Sequence, residues 1–131
     1  MARVLVVDDN PDERHIYSVV LQFHGHQVEE AEDGVRGVEL ARASLPDVIV
    51  LDVHLPLING LLAAELLRGG VDTGHIPIVC ITGFDVERSR ALAAGCSTLL
   101  RKPIPPRLLA ETIQSLFPGT PEDAVPGLEA T

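Results

Sequence analysis

Four apolar runs in this chain stop at polar groups able to do chemistry. Residues 4–7 (VLVV) run into Asp8-Asp9, residues 48–51 (VIVL) into Asp52, and residues 78–81 (IVCI) into Thr82-Gly83. Leu99-Leu100 leads through Arg101 to Lys102-Pro103. Taken singly each has an ordinary reading. Asp8-Asp9 suits a solvated turn or a helix N-cap, Asp52 a loop, Thr82 a hydroxyl bonded to its own backbone, and Lys102 the surface. Together they suggest a shared site. Three carboxylates about 5 Å apart at an effective dielectric of about 20 repel by roughly 3 kcal/mol per pair. Such a cluster needs positive charge within it. A hard divalent cation such as Mg2+ suits oxygen ligands and leaves coordination positions open. Lys102 adds a further positive charge and three donors, and Thr82 a hydroxyl. A carboxylate so surrounded is a chemically reasonable acceptor for a phosphoryl group.

The elements that must position these groups follow from hydropathy and punctuation. Arg3 to Val7 reads as a buried strand, Gln27 to Ala31 as a weaker one, and Val48 to Leu51 as a fully apolar one. Ile76 to Ile81 and the Leu99-Leu100 segment complete five. A helix opens at Pro11, carries Ile16, Val19, Val20 and Phe23 as its apolar stripe, and stops at Gly25. Asp33 caps a second helix through about Ser44, with Val35, Val38 and Ala41 on one face. A third runs from about Asn59 to Arg68. Asp85 caps a fourth running to Ala94, with Val86 and Leu92 as its chief apolar contacts. Pro105-Pro106 opens a fifth bearing Leu109, Ile113 and Leu116.

Five βα units predict an α/β fold: a five-stranded parallel sheet, doubly wound and flavodoxin-like, with five helices and strand order 2-1-3-4-5. Strands that are apolar throughout agree with burial on both faces. That order makes strands 1 and 3 neighbours and brings Asp8 and Asp9 beside Asp52 at the carboxyl edge, where ligands bind in such sheets.

At 131 residues the chain suits one domain. A formal net charge of -9 argues against direct nucleic-acid binding, which needs clustered Lys and Arg. Nothing approaches the length of a membrane span and no signal peptide is visible, so a cytoplasmic protein is expected. Cys80 and Cys96 form no framework and read as reduced thiols. His15, His24, His26 and His75 read as surface residues, and Tyr17 has no evident partner. The tail from Pro118, with its prolines and glycines, reads as a linker or flexible terminus, leaving residues 1–117 as the domain.

The motifs VVDDN at 6–10, LDVHLPLING at 51–60, ITG at 81–83 and RKP at 101–103 carry a resemblance. Over about residues 2 to 117 the sequence resembles the receiver domain of two-component response regulators, of the chemotaxis-regulator kind. The resemblance implies that Asp52 is the phosphoacceptor. It implies that Asp9, with Asp8 assisting, binds Mg2+ together with Asp52 and the backbone carbonyl of His54. Thr82 and Lys102 would contact the phosphoryl group, with Gly83 and Pro103 at the rim, and the Lys102–Pro103 bond would be cis. The implied partners are a histidine kinase or phosphotransfer protein and a downstream protein or effector domain, the latter met through the helix 4–strand 5–helix 5 face. The parent is a stand-alone regulator, a longer response regulator or a hybrid histidine kinase. Two rivals stay open. One is a Mg2+-dependent phosphohydrolase with an aspartyl-phosphate intermediate, although His54 stands where such enzymes carry a second Asp. The other is a degenerate receiver that only binds.

The chain departs from the family pattern at Leu99, where receivers usually carry the aromatic switch residue. Phe84, two residues after Thr82, and the His54 ring, two after Asp52, can shield an aspartyl phosphate from water. Phe84→Ala or His54→Ala is therefore expected to speed dephosphorylation of Asp52, and unchanged rates in both would refute the shielding.

Overall fold

The computed structural model describes residues 2–83 and 88–116. The elements run β1 (Arg3–Val7), α1 (Pro11–Phe23), β2 (Gln27–Ala31), α2 (Gly34–Ser44), β3 (Val48–Asp52), α3 (Gly60–Arg68), β4 (Ile78–Thr82), α4 (Arg88–Ala94), β5 (Thr98–Arg101) and α5 (Pro106–Leu116). The strands form one sheet in the order β2-β1-β3-β4-β5, and all pairs are parallel. β3 and β4 at its centre are buried at every residue, as continuous apolar runs require.

Because side chains alternate along a strand, the sheet sorts its residues between two cores. Leu5, Val7, Ile49, Leu51, Ile78 and Cys80 face Val38, Ala41, Ala64, Leu67 and Ala91 of α2, α3 and α4. Val4, Val6, Val48, Val50, Val79 and Ile81 face Tyr17, Leu21, Leu109 and Ile113 of α1 and α5. A buried side chain of this size contributes roughly 1.5–3 kcal/mol, so both helical layers are firmly held wherever they present one.

Local chemistry sets the boundaries. Asn10 caps α1 by accepting from the amides of Asp12 and Glu13, Asp33 caps α2 through Arg36 N, and Asn59 caps α3 through Leu62 N. Gly25, at φ +91°, ends α1 in a conformation other residues rarely adopt.

Several sequence expectations need correction. The α1 stripe is on the wrong side: Ile16, Val19 and Phe23 are exposed, Phe23 at 86%, while Tyr17, Ser18 and Leu21 are buried. Tyr17 and Leu21, one turn apart, are the pair that meets the sheet. Val35 of α2 is likewise exposed. His26 is buried, its Nδ1 accepting the Ala2 amide at 2.9 Å. Cys80 and Cys96 are not free thiols but a disulfide with Cα atoms 6.0 Å apart. Sixteen residues apart in sequence, they meet because β4 lies beside the turn between α4 and β5. Closing a loop of this length stabilises by about 3 kcal/mol in the chain-entropy account. Asp85, Val86 and the tail from Pro118 lie outside the described residues.

α4 is the weakly held helix. Its buried residues are Ala91 and Ala94, and Leu92, expected inside, is 45% exposed. With no large side chain docked among its described residues, 88–94 should open locally more readily than α1. Amide hydrogen exchange is therefore expected to be faster across 91–94 than across 17–21, and the reverse order would contradict this account.

Candidate functional site

The carboxyl ends of β1, β3 and β5 and the first turn of α1 converge on one cavity. It is lined by Asp9, Asn10, Glu13, Asp52, His54, Gly83 and Lys102, among others. Strand parity decides what points into it. Asp8 and Asp52 continue the register of Val6 and Val50, so they face the α1 side, where Glu13 stands. Both aspartates are buried, at 0% and 3% exposure.

Lys102 ties the group together. Its Nζ lies 2.5 Å from Glu13 Oε1, 3.0 Å from Asp52 Oδ2 and 3.5 Å from Asp8 Oδ2. It donates hydrogen bonds to Glu13 and Asp52, while Asp8 Oδ2 is buried with no hydrogen-bond partner. The His54 amide donates to Asp52 Oδ1 at 2.9 Å, and the Asn10 amide to Asp8 Oδ1 at 2.9 Å. Lys102 N donates to the Thr82 carbonyl at 2.7 Å, anchoring its backbone to β4, and the Lys102–Pro103 peptide is cis. Gly60 closes the loop after Asp52. A Cβ there would sit 2.1 Å from the Asp52 carbonyl oxygen, so only glycine allows this approach.

These contacts shift ionisation. Burial of Asp8 opposes its charged form and, against the Asn10 amide and Lys102, pushes its pKa up from 3.8 to about 6. Burial would lower the Lys102 pKa, but its bonds to Glu13 and Asp52 and the Asp8 charge raise it, so the ammonium stays charged. Burial also pushes the Tyr17 hydroxyl up to about 12.

The expected residues are not all brought together. Asp52, Asp8 and Lys102 meet. Asp9, expected to lead the metal ligands, is exposed at the cavity rim and outside the carboxylate cluster. Glu13 stands in the cluster instead, and ligand oxygens of Asp8, Glu13 and Asp52 lie within 4.8 Å of one another. Sequence reading passed over Glu13, which sits three residues after the Asn10 cap and looks like half of a capping box. Thr82 is buried at the end of β4, and Gly83 rather than Thr82 lines the cavity. His54 is exposed on the wall. Leu99 is partly buried against the core beneath α3 and α4. Phe84 lies outside the described residues.

The fold puts this acidic cavity at the carboxyl edge of a parallel sheet, where ligands bind in such folds. The response regulator receiver domain family matches residues 4–114. Protein PilH of Pseudomonas aeruginosa is 38% identical over 121 residues, covering 91% of this chain and all of PilH. Response regulator MprA of Mycobacterium tuberculosis is 38% identical over 125 residues, 93% of this chain and 54% of MprA. The structure of Vibrio cholerae chemotaxis protein CheY4 superposes with a TM-score of 0.84 at 32% identity, covering 89% of this chain and 99% of that one. The chain belongs to the response regulator receiver domain family. It is thus a receiver domain of two-component signalling, a class that accepts phosphoryl groups rather than turning over substrates.

The raised Asp8 pKa has a sign. Between its unfolded value of 3.8 and its folded value of about 6 the native state holds the extra proton, so stability falls as pH rises through that window. Without divalent cation, Asp8→Asn is expected to stabilise the fold at pH 7 by up to about 3 kcal/mol and to flatten its pH dependence between about pH 4 and 6. Identical urea midpoints at pH 7 would contradict this.

Proposed function

We propose that Asp52 takes a phosphoryl group from the phosphohistidine of a histidine kinase or phosphotransfer protein. An Asp52 carboxylate oxygen attacks phosphorus, the P–N bond breaks, and the imidazole nitrogen keeps the electron pair, leaving an acyl phosphate on Asp52. One observation carries the reading: a buried carboxylate at the sheet edge, open to a cavity, held between an ammonium at 3.0 Å and a backbone amide at 2.9 Å. The amide fixes one oxygen, and Lys102 offers its charge where the transferring oxygens develop theirs.

The donor set fits Mg2+. Three carboxylates converge, one of them with a buried oxygen that lacks a hydrogen bond. Asp8 and Asp52 would hold the ion, joined by Asp9 from the rim and by the His54 backbone carbonyl, while Glu13 stays engaged with Lys102. When bound it would neutralise charge on the phosphoryl oxygens. Thr82, buried at the end of β4 next to the strand that carries Asp52, would offer its hydroxyl to the phosphoryl group.

Signalling through an aromatic switch is not open to Leu99. What supports output through the α4–β5–α5 face is its composition: Leu92 and Leu108 are exposed, Leu99 half-buried, and α4 docked by alanines among its described residues. A downstream protein or effector domain binding that face would select between α4 positions.

Among the described residues no helix is long and apolar enough to cross a membrane. We place the site in the cytoplasm, where phosphohistidine donors are charged. Disulfides are rare there, and burial of both sulfurs shields the Cys80–Cys96 bond from exchange.

Beryllofluoride or acetyl phosphate with Mg2+ should load one equivalent on the intact protein and none on Asp52→Asn. Continuous release of phosphate without a loaded state would favour the phosphohydrolase instead, and no uptake by either protein would leave a binding module.

A further inference from the structure

We propose that Glu13 is a positioning residue for Lys102, a carboxylate on α1 that holds the ammonium back from the phosphoryl position until the site is loaded. The inference rests on the phosphoacceptor reading of Asp52 and adds a restraint to it.

Lys102 is the chain's single lysine, the other basic residues being arginines. Of the three acids around its Nζ, Glu13 is nearest at 2.5 Å, against 3.0 Å for Asp52 and 3.5 Å for Asp8. Glu13 also differs from the other two in setting. Asp8 and Asp52 are buried on strands, whereas the Glu13 side chain is 37% exposed and stands in the first turn of α1. Its hydrogen bond ties the ammonium to α1 as well as to Asp52. A phosphoryl group on Asp52 brings roughly two negative charges to a carboxylate that carried one. Lys102 must then serve the phosphoryl oxygens, and Glu13 loses its partner while facing a new anion. Both effects oppose loading.

The two neighbouring acids in the same turn separate a bond from a mere charge. Asp12 also lines the cavity, is exposed, and makes no ion pair with Lys102. Asp12→Asn removes the same charge from the same turn without touching the lysine.

The test titrates beryllofluoride at saturating Mg2+ into the wild type, Glu13→Gln and Asp12→Asn, followed by NMR. Glu13→Gln is expected to bind about threefold tighter, the scale of a partly exposed ion pair, with Asp12→Asn within error of the wild type. In the metal-free proteins, the Nζ resonance of the one lysine should shift in Glu13→Gln toward its loaded position and stay put in Asp12→Asn. Unchanged or weaker binding by Glu13→Gln, or equal gains in both variants, would overturn the proposal. If the wild type takes up no beryllofluoride, the phosphoacceptor reading fails; an unmoved lysine resonance in Glu13→Gln separately refutes the hold on Lys102.

Discussion

An ammonium held among three carboxylates is the constraint on which the rest of this structure depends. Asp8 comes from the end of β1, Asp52 from β3, Lys102 from just after β5, and Glu13 from α1. Four separate elements must stop at the right depth for those charges to meet. Without the lysine, two buried acids would repel in a low-dielectric setting, where each unpaired charge is expensive. Even with it, Asp8 holds its proton more tightly than an exposed acid does. The site thus retains a surplus of negative charge, which is what a divalent cation requires.

The sheet gives that cluster its rigidity. β3 is buried over its whole length, from Val48 to Asp52, so the Asp52 carboxylate projects from a segment with almost no freedom. Parity then assigns the two faces. One carries Asp8 and Asp52 toward α1, while Asp9, past the end of β1, lies exposed at the cavity rim. Of the two adjacent acids one is therefore buried and the other lies at the rim, and a half-exposed glutamate from α1 stands beside the buried one.

The opposite side of the molecule is built differently. α4 presents alanines to the core and leaves Leu92 in solvent, while its C-terminal turn is fastened through Cys96 to Cys80 in β4. Arg68 of α3 adds hydrogen bonds to the carbonyls of Gly74 and Gly95. One end of the helix is thus pinned and its body weakly packed, an arrangement in which a small change at the sheet edge can alter the helix's position.

Much of this was legible in the sequence. Apolar runs ending in Asp8, Asp52, Thr82 and Lys102 carried the strands, the parallel sheet and its active edge, because burial on both faces demands continuous apolar strands and loops must hold the polar groups. Pro11 and the Asp33 cap marked two helix starts by local backbone chemistry alone. What the sequence left open depended on neighbours far along the chain. The α1 stripe of Ile16, Val19 and Phe23 has correct helical spacing, yet the helix turns Tyr17 and Leu21 inward, since rotation about its axis is set by the sheet it meets. Cys80 and Cys96 carry no pairing signal until β4 lies beside the turn preceding β5. Glu13 looks like a capping residue until Lys102 arrives from 89 positions away. The sequence by itself determined the elements and the acidic edge, because hydropathy and capping act over a few residues. Only the tertiary structure decided which carboxylates share the lysine, because that depends on which face each strand end and helix turn presents.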